Sequence, residues 1–178
     1  MIKTLSGLEK EAYDSGLVMR IQVRRPLNLW TFKLVVAEYL SPKKVRILGE
    51  MKAWAYPKIK GFQLDTMRVN PKASVSVGHL IWAGTMTWAL EVTPCTQARL
   101  LAICDDDKEH IKLVRYFRRR GFHITKKVGS APIDLPLRVI WGGAGSLMTA
   151  KCKEVLNKSY KLWSLSKTKK INYQSDSA

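Results

Sequence analysis

A chain of 178 residues with 46% hydrophobic content is long and apolar enough to bury a core, which excludes an intrinsically disordered polymer. Its 31 basic and 14 acidic residues leave a net charge of +17, a balance that suits anionic partners: nucleic acid, an acidic membrane surface or the phosphates of a cofactor. No run of apolar residues approaches the roughly 20 needed to span a bilayer, and Met1-Ile2-Lys3-Thr4 does not open a secretory leader.

Residues 17–24 alternate, with Leu17, Met19, Ile21 and Val23 opposite Arg20, Gln22 and Arg24, which predicts a half-buried strand. Pro26 ends it. Over 28–40 the pattern fits two periods. Trp30, Leu34, Ala37 and Leu40 fit one face of a helix capped by Asn28, while Phe32, Val35 and Val36 also fit a strand; the helix is the preferred reading. Pro42-Lys43-Lys44 is a turn. Residues 45–56 read as a strand with Ile47, Gly49, Met51, Ala53 and Ala55 on one face, and 62–69 as its antiparallel partner across Pro57–Gly61.

The stretch 78–91 is apolar nearly all round, as in a helix buried on most faces. A buried strand follows over 97–104. Asp105, Asp106 and Asp107 then suit the start of a helix over 108–120, which should turn Ile111, Val114 and Phe117 inward and end at Gly121. Strands are expected at 122–128 and 136–141, then a last amphipathic helix at 151–163. The polar residues 164–178 should form a disordered tail. The division expected is one α/β domain over residues 1–150 and a basic C-terminal helix and tail over 151–178. Cys95, Cys104 and Cys152 show neither disulfide-framework nor metal-ligand spacing. They read as reduced thiols, which points to a cytoplasmic protein without a metal site.

The order of elements from Leu64 onward carries a resemblance. Val69-Asn70-Pro71 closes a strand, a short loop leads into the buried helix, and a later helix ends in Gly121-Phe122. This resembles the GNAT superfamily of N-acetyltransferases, most clearly over residues 45–141. The resemblance implies a mixed, mostly antiparallel sheet flanked by helices, with acetyl-CoA as cofactor and an amine, on a small molecule or a protein, as acceptor. It also implies that Val69, Lys72, Ser74, Ser76, Val77, Gly78 and His79 hold the pyrophosphate. The physical basis is a helix N-terminus, whose free N–H groups attract phosphate.

Two departures accompany the resemblance. Only Gly78 remains of a glycine-rich loop, and β-branched Val75 and Val77 stand where glycine is usual, with Ser76 as the expected helix cap. Phe117 occupies the position of the family's proton-donating Tyr, so Tyr116 serves only if the register shifts by one residue. His110 stands for the family's frequent Asn. Glu50 and Asp65, on the expected central strands, are candidates for the general base, and the apolar neighbours Leu64 and Met67 are expected to surround Asp65.

The charge supports an alternative. Lys108, Lys112, Arg115, Arg118, Arg119 and Arg120 place six cations on one helix against Glu109 alone, and the C-terminal region adds seven lysines interleaved with Tyr160 and Trp163. This is the expectation for a non-catalytic member of the fold docking on RNA, the ribosome or an anionic lipid surface.

Overall fold

The computed structural model describes the backbone of residues 4–175 and the side chains of residues 4–167. Seven strands form one sheet in the order β1-β2-β3-β4-β5-β7-β6. They are β1 (Val18–Arg24), β2 (Trp30–Ser41), β3 (Lys44–Ala55), β4 (Phe62–Val69), β5 (Gln97–Ile103), β6 (His123–Val128) and β7 (Gly145–Lys151). The helices are α1 (Leu5–Asp14), α2 (Val75–Val92), α3 (Asp107–Arg120), α4 (Leu135–Trp141) and α5 (Cys152–Ser175). All neighbouring strands are antiparallel except β4 and β5, which are joined through α2. This is the mixed, mostly antiparallel sheet that the resemblance implies.

The parallel pair β4–β5 is bonded only at its start, Phe62 against Ala98 and Gln63 against Arg99. Beyond that point the strands diverge, and a gap opens between Thr66–Val69 and Leu101–Ile103. α2 packs on β2, β3 and β4, and α5 lies along α2 as a further layer. Apart from half-buried His79, α2 is buried from Val77 to Ala89, so a nearly all-round apolar sequence is what its position requires. At Gly84 an added Cβ would stand 2.7 Å from Leu34 Cδ1 and 2.9 Å from Met19 Sδ, so the missing side chain is what lets the helix approach β1 and β2.

Four expectations are corrected. Residues 30–41 form a strand, not a helix. β2 pairs on both sides, and Trp30, Phe32, Leu34 and Val36 alternate into the core; tertiary pairing decides between two periods that the sequence fits equally well. Asn28 caps no helix but sits with Leu27 at positive φ in the tight β1–β2 connection. In β3, a bulge leaves Leu48 without a partner between the pairs Val36–Gly49 and Ala37–Ile47. The extra residue swaps faces, so Leu48 is buried and Ile47 is exposed. Residues 135–141 form α4 and the expected strand lies at β7, because Pro136 has no N–H for a strand bonded on both edges yet fits the first turn of a helix. Finally, α5 runs from Cys152 to Ser175 with Val155, Leu156 and Trp163 buried, so the tail expected from Ser164 begins inside a helix. Residues 176–178 lie outside the described residues.

The three cysteines are free, Cys95 and Cys152 buried and Cys104 exposed. Among the described residues no helix is long and apolar enough to cross a membrane.

Candidate active site

The diverging ends of β4 and β5 lie beside α2 and α3, and Tyr116 of α3 reaches Met67 of β4 there. Its hydroxyl accepts a hydrogen bond from Trp82 Nε1 at 3.0 Å and lies 3.9 Å from Met67 Sδ of β4. Because the indole N–H occupies one lone pair, the phenolic proton is directed away from α2, toward Met67 and the gap. Phe117 faces elsewhere. Its ring packs edge-on against Trp82 and Phe122 at centroid distances of 6.1 and 5.9 Å. Of the two neighbouring rings, the one whose hydroxyl lies beside β4 is Tyr116, and Phe117 is turned into the aromatic cluster.

Trp82, 1% exposed, is the centre of this cluster. Beside it Arg120, 7% exposed, lies 4.6 Å from the Tyr116 ring centroid and 5.2 Å from that of Trp82. Its guanidinium donates to Ser159 Oγ at 3.4 Å and reaches His79 Nδ1 at 3.5 Å, while its Nε has no partner among the described residues. No carboxylate pairs with this cation among the described residues. Two aromatic faces and a neutral imidazole take that place, a cation–π arrangement that tolerates a desolvated guanidinium. Arg120 thus leaves the outward basic stripe to which its sequence position assigned it.

Burial first, and the Arg120 charge second, push the His79 imidazole down to about 4. The folded chain keeps His79 neutral where the unfolded chain, near 6.5, takes up a proton. Its contribution to stability is complete above pH 6.5 and is lost as the pH falls toward 4. With His79 half-buried, the expected loss is about 1–2 kcal/mol after solvent screening. Urea denaturation at neutral and mildly acid pH measures it, and His79→Gln should abolish that part of the pH dependence; an unchanged acid loss in the variant would assign it to other groups.

The expected cofactor loop takes a different shape from the one its sequence suggested. Val75 and Val77 lie inside the first turn of α2, neither at positive φ, and the cap is Ser74, whose Oγ accepts from Ser76 N at 3.3 Å. Asn70 takes the amides of Lys72 and Ala73 through its side-chain and backbone oxygens at 2.9 and 2.8 Å. The loop closes on itself without glycine, and what it offers outward are the Ser74 and Ser76 hydroxyls and the Lys72 ammonium. Lys72, Ser74, Ser76 and Val77 line a cavity of about 270 Å³ with Arg46 of β3 and Trp163 and Lys167 of α5. Gly78 and His79 turn the other way. Gly78 packs against β4, where an added Cβ would stand 3.8 Å from Met67 Cε. Val69 ends β4 partly exposed.

Tyr116 and His110 line a second, open cleft of about 530 Å³ with Ile103, Leu113, Asp105, Asp106 and Glu109. His110 is held by the Ile103 carbonyl at 3.1 Å and by Ser146 Oγ at 3.2 Å, which fixes α3 to β5 and β7. Loop and Tyr116 are thus in different cavities, linked through Met67 and Gly78.

The two base candidates face the other side of the sheet. Glu50 is paired with Lys33 at 3.0 Å, and that hydrogen bond holds its carboxyl below the usual range. Asp65 is the extra residue of a bulge in β4, between the pairs Lys52–Thr66 and Ala53–Leu64, just past the last β4–β5 pair. Leu64 points into the core and Asp65 is exposed, so the apolar neighbours in sequence do not surround it. Lys108, Lys112, Arg115, Arg118 and Arg119 are exposed on α3, with Lys112 paired to Glu109 at 2.7 Å. The inward face of that helix is Val114 with half-buried Leu113 and Phe117, while Ile111, expected inward, is exposed.

Among solved structures the chain is similar to a spermidine N-acetyltransferase chimera from Vibrio cholerae and hSSAT, at 12% identity and a TM-score of 0.48, over 71% of this chain and 69% of that one. It is similar to a nourseothricin acetyltransferase at 12% identity and a TM-score of 0.48, over 77% of this chain and 88% of that one. It is also similar to an N-acetylglutamate synthase from Neisseria gonorrhoeae complexed with coenzyme A and N-acetyl-glutamate, at 12% identity and a TM-score of 0.46, over 83% of this chain and 32% of that one. No family model matches the sequence, and no curated protein matches it.

Proposed function

We propose that the chain is an N-acetyltransferase that moves an acetyl group from acetyl-CoA to an amine, with Tyr116 as the proton donor. The observation that carries this reading is the Tyr116 hydroxyl, oriented by Trp82 toward the one place where the sheet opens between parallel strands. Acetyl-CoA supplies an activated thioester; a thiolate leaving group needs a proton, and Tyr116 is placed to give it. Asp65, at the bulge on the opposite face of the sheet, is the better placed of the two bases. Glu50 is already engaged by Lys33. An acceptor amine approaching from that open face would lose its proton to Asp65 while Tyr116 acts from the helix side.

Gly78 lets the first turns of α2 sit against β4, and Lys72 with the Ser74 and Ser76 hydroxyls are the groups available to a pyrophosphate at the helix N-terminus. Met67 lies between Gly78 and Tyr116, its thioether sulfur 3.9 Å from the Tyr116 hydroxyl that would protonate the leaving thiolate. Its flexible side chain has to swing aside for the cofactor. Met67→Ala is therefore expected to tighten acetyl-CoA binding several-fold in calorimetry, and an unchanged or weaker affinity would mean that the methionine is not in the way.

The test of the reading is thermal unfolding with rising acetyl-CoA. At a hundred times its dissociation constant the cofactor should stabilise the chain by about 2.7 kcal/mol, with a smaller shift in Lys72→Ala. A flat response at millimolar cofactor rules the reading out.

A further inference from the structure

The face of β1–β4 turned away from the helices carries, besides Asp65, a pattern of cations and aromatic rings that acetyl transfer does not use. Register places its side chains in three rows across the strands: Arg24, Thr31, Trp54 and Gln63; Gln22, Lys33, Lys52 and Thr66; Arg20, Val35, Glu50 and Arg68. Apart from Gln63 these residues are exposed or half-buried. Five cations therefore stand against Glu50 and Asp65. Lys33 and Lys52 are directly opposite each other, a placement of like charges that costs stability in a bare sheet; Glu50 forms its ion pair with Lys33 and lies close enough to Lys52 and Arg68 to feel their charge. The Trp54 and Tyr56 rings lie together at the end of this face, centroids 6.0 Å apart. Of the six tryptophans, Trp30, Trp82, Trp88 and Trp163 are buried and Trp54 and Trp141 are half-exposed; Trp54 borders a shallow depression of about 360 Å³ with Arg24, Lys33 and Lys52.

We infer that this open sheet face binds single-stranded nucleic acid. Phosphates would sit on Arg20, Arg24, Lys52 and Arg68, where five cations outnumber two carboxylates, and bases would stack on Trp54 and Tyr56. A flat aromatic surface among cations suits a strand whose bases are unpaired, because stacking adds to the charge contacts that any polyanion would make. The inference does not depend on acetyl transfer and stands or falls without it. It also differs from docking through α3, where the Tyr116 ring among the exposed cations Arg115, Arg118 and Arg119 is engaged by Trp82 and Arg120.

The experiment is fluorescence anisotropy of a labelled oligouridine titrated with the full chain across a salt series. Wild type should bind with salt-sensitive affinity. Trp54→Leu should weaken binding about tenfold with little change in salt slope, and Lys52→Gln and Arg24→Gln should each flatten the slope by about 0.7. Lys52 and Arg24 are exposed, so these two variants report on the face even if Trp54→Leu lowers Tm. The triple change Arg115→Ala, Arg118→Ala and Arg119→Ala should leave affinity within a few-fold. The inference is overturned by absence of binding at low salt, by sheet variants that bind like wild type, or by loss of binding in the α3 triple variant. Competition by polyglutamate as effective per charge as the oligonucleotide would also overturn it, since that polymer has no bases to stack.

Discussion

Tyr116→Phe is expected to lower the rate of acetyl transfer by about 10²–10⁴-fold, the usual contribution of a positioned proton donor, with little change in KM for acetyl-CoA. The substitution keeps the ring that lies against Arg120 and removes only the hydroxyl between Trp82 and Met67. Trp82 Nε1 then loses its acceptor, so a stability cost of about 1 kcal/mol should accompany the rate loss. Adding Phe117→Tyr should not restore activity, because that ring is turned toward Trp82 and Phe122 rather than toward the gap. Free-thiol release from acetyl-CoA in the presence of an amine acceptor reads the rate. A variant as fast as wild type would remove Tyr116 from the chemistry, and rescue by Phe117→Tyr would restore the motif's own register.

Trp82→Ala is expected to have the largest effect on stability, about 3–5 kcal/mol by urea denaturation. Trp82 is buried between α2 and α3, packs edge-on against Phe117 and Phe122, and gives Arg120 one of its two aromatic faces. Truncation opens a cavity and leaves a buried guanidinium with less compensation at the same time. Trp82→Phe separates these causes: it keeps most of the packing and loses the hydrogen bond to Tyr116. It should cost clearly less in stability while still reducing acetyl transfer, since the hydroxyl is no longer oriented. A cost below about 1 kcal/mol for Trp82→Ala would mean that the α2–α3 contact is not held by this side chain.

Much of the site was present in the sequence as residue types and spacing. Val69-Asn70-Pro71, the buried helix and Gly121-Phe122 mark where a strand ends, where a helix starts and where another stops. Gly121 does sit at positive φ, 106°, as the C-cap of α3. Motif matching points to Phe117, whereas the hydroxyl-bearing ring beside β4 is that of Tyr116, because spacing along a helix does not say which face of α3 meets the gap. Only the contacts of Tyr116 with Trp82 and Met67 decide that. Arg120 shows the same limit. As one letter in Arg118-Arg119-Arg120 it reads as surface charge, and it becomes buried because it falls on the side of α3 that meets α2 and α5. The Leu48 and Asp65 bulges have no local signal, since a bulge is a property of two paired strands.

The amino-acid sequence by itself determined the classes of the long elements: alternation over 18–24 gives a strand, and the stretch 78–91, apolar nearly all round, gives a helix enclosed on nearly every side. These depend on periodicity, which each segment carries alone. Tertiary structure decided what depends on partners. Residues 30–41 became a strand because two neighbours offered hydrogen bonds, and residues 135–141 were excluded from the sheet because Pro136 could not join one. Arg120 moved inside and Tyr116 met the gap because two helices and a diverging pair of strands converge there, and convergence of distant segments is not a property of any one of them.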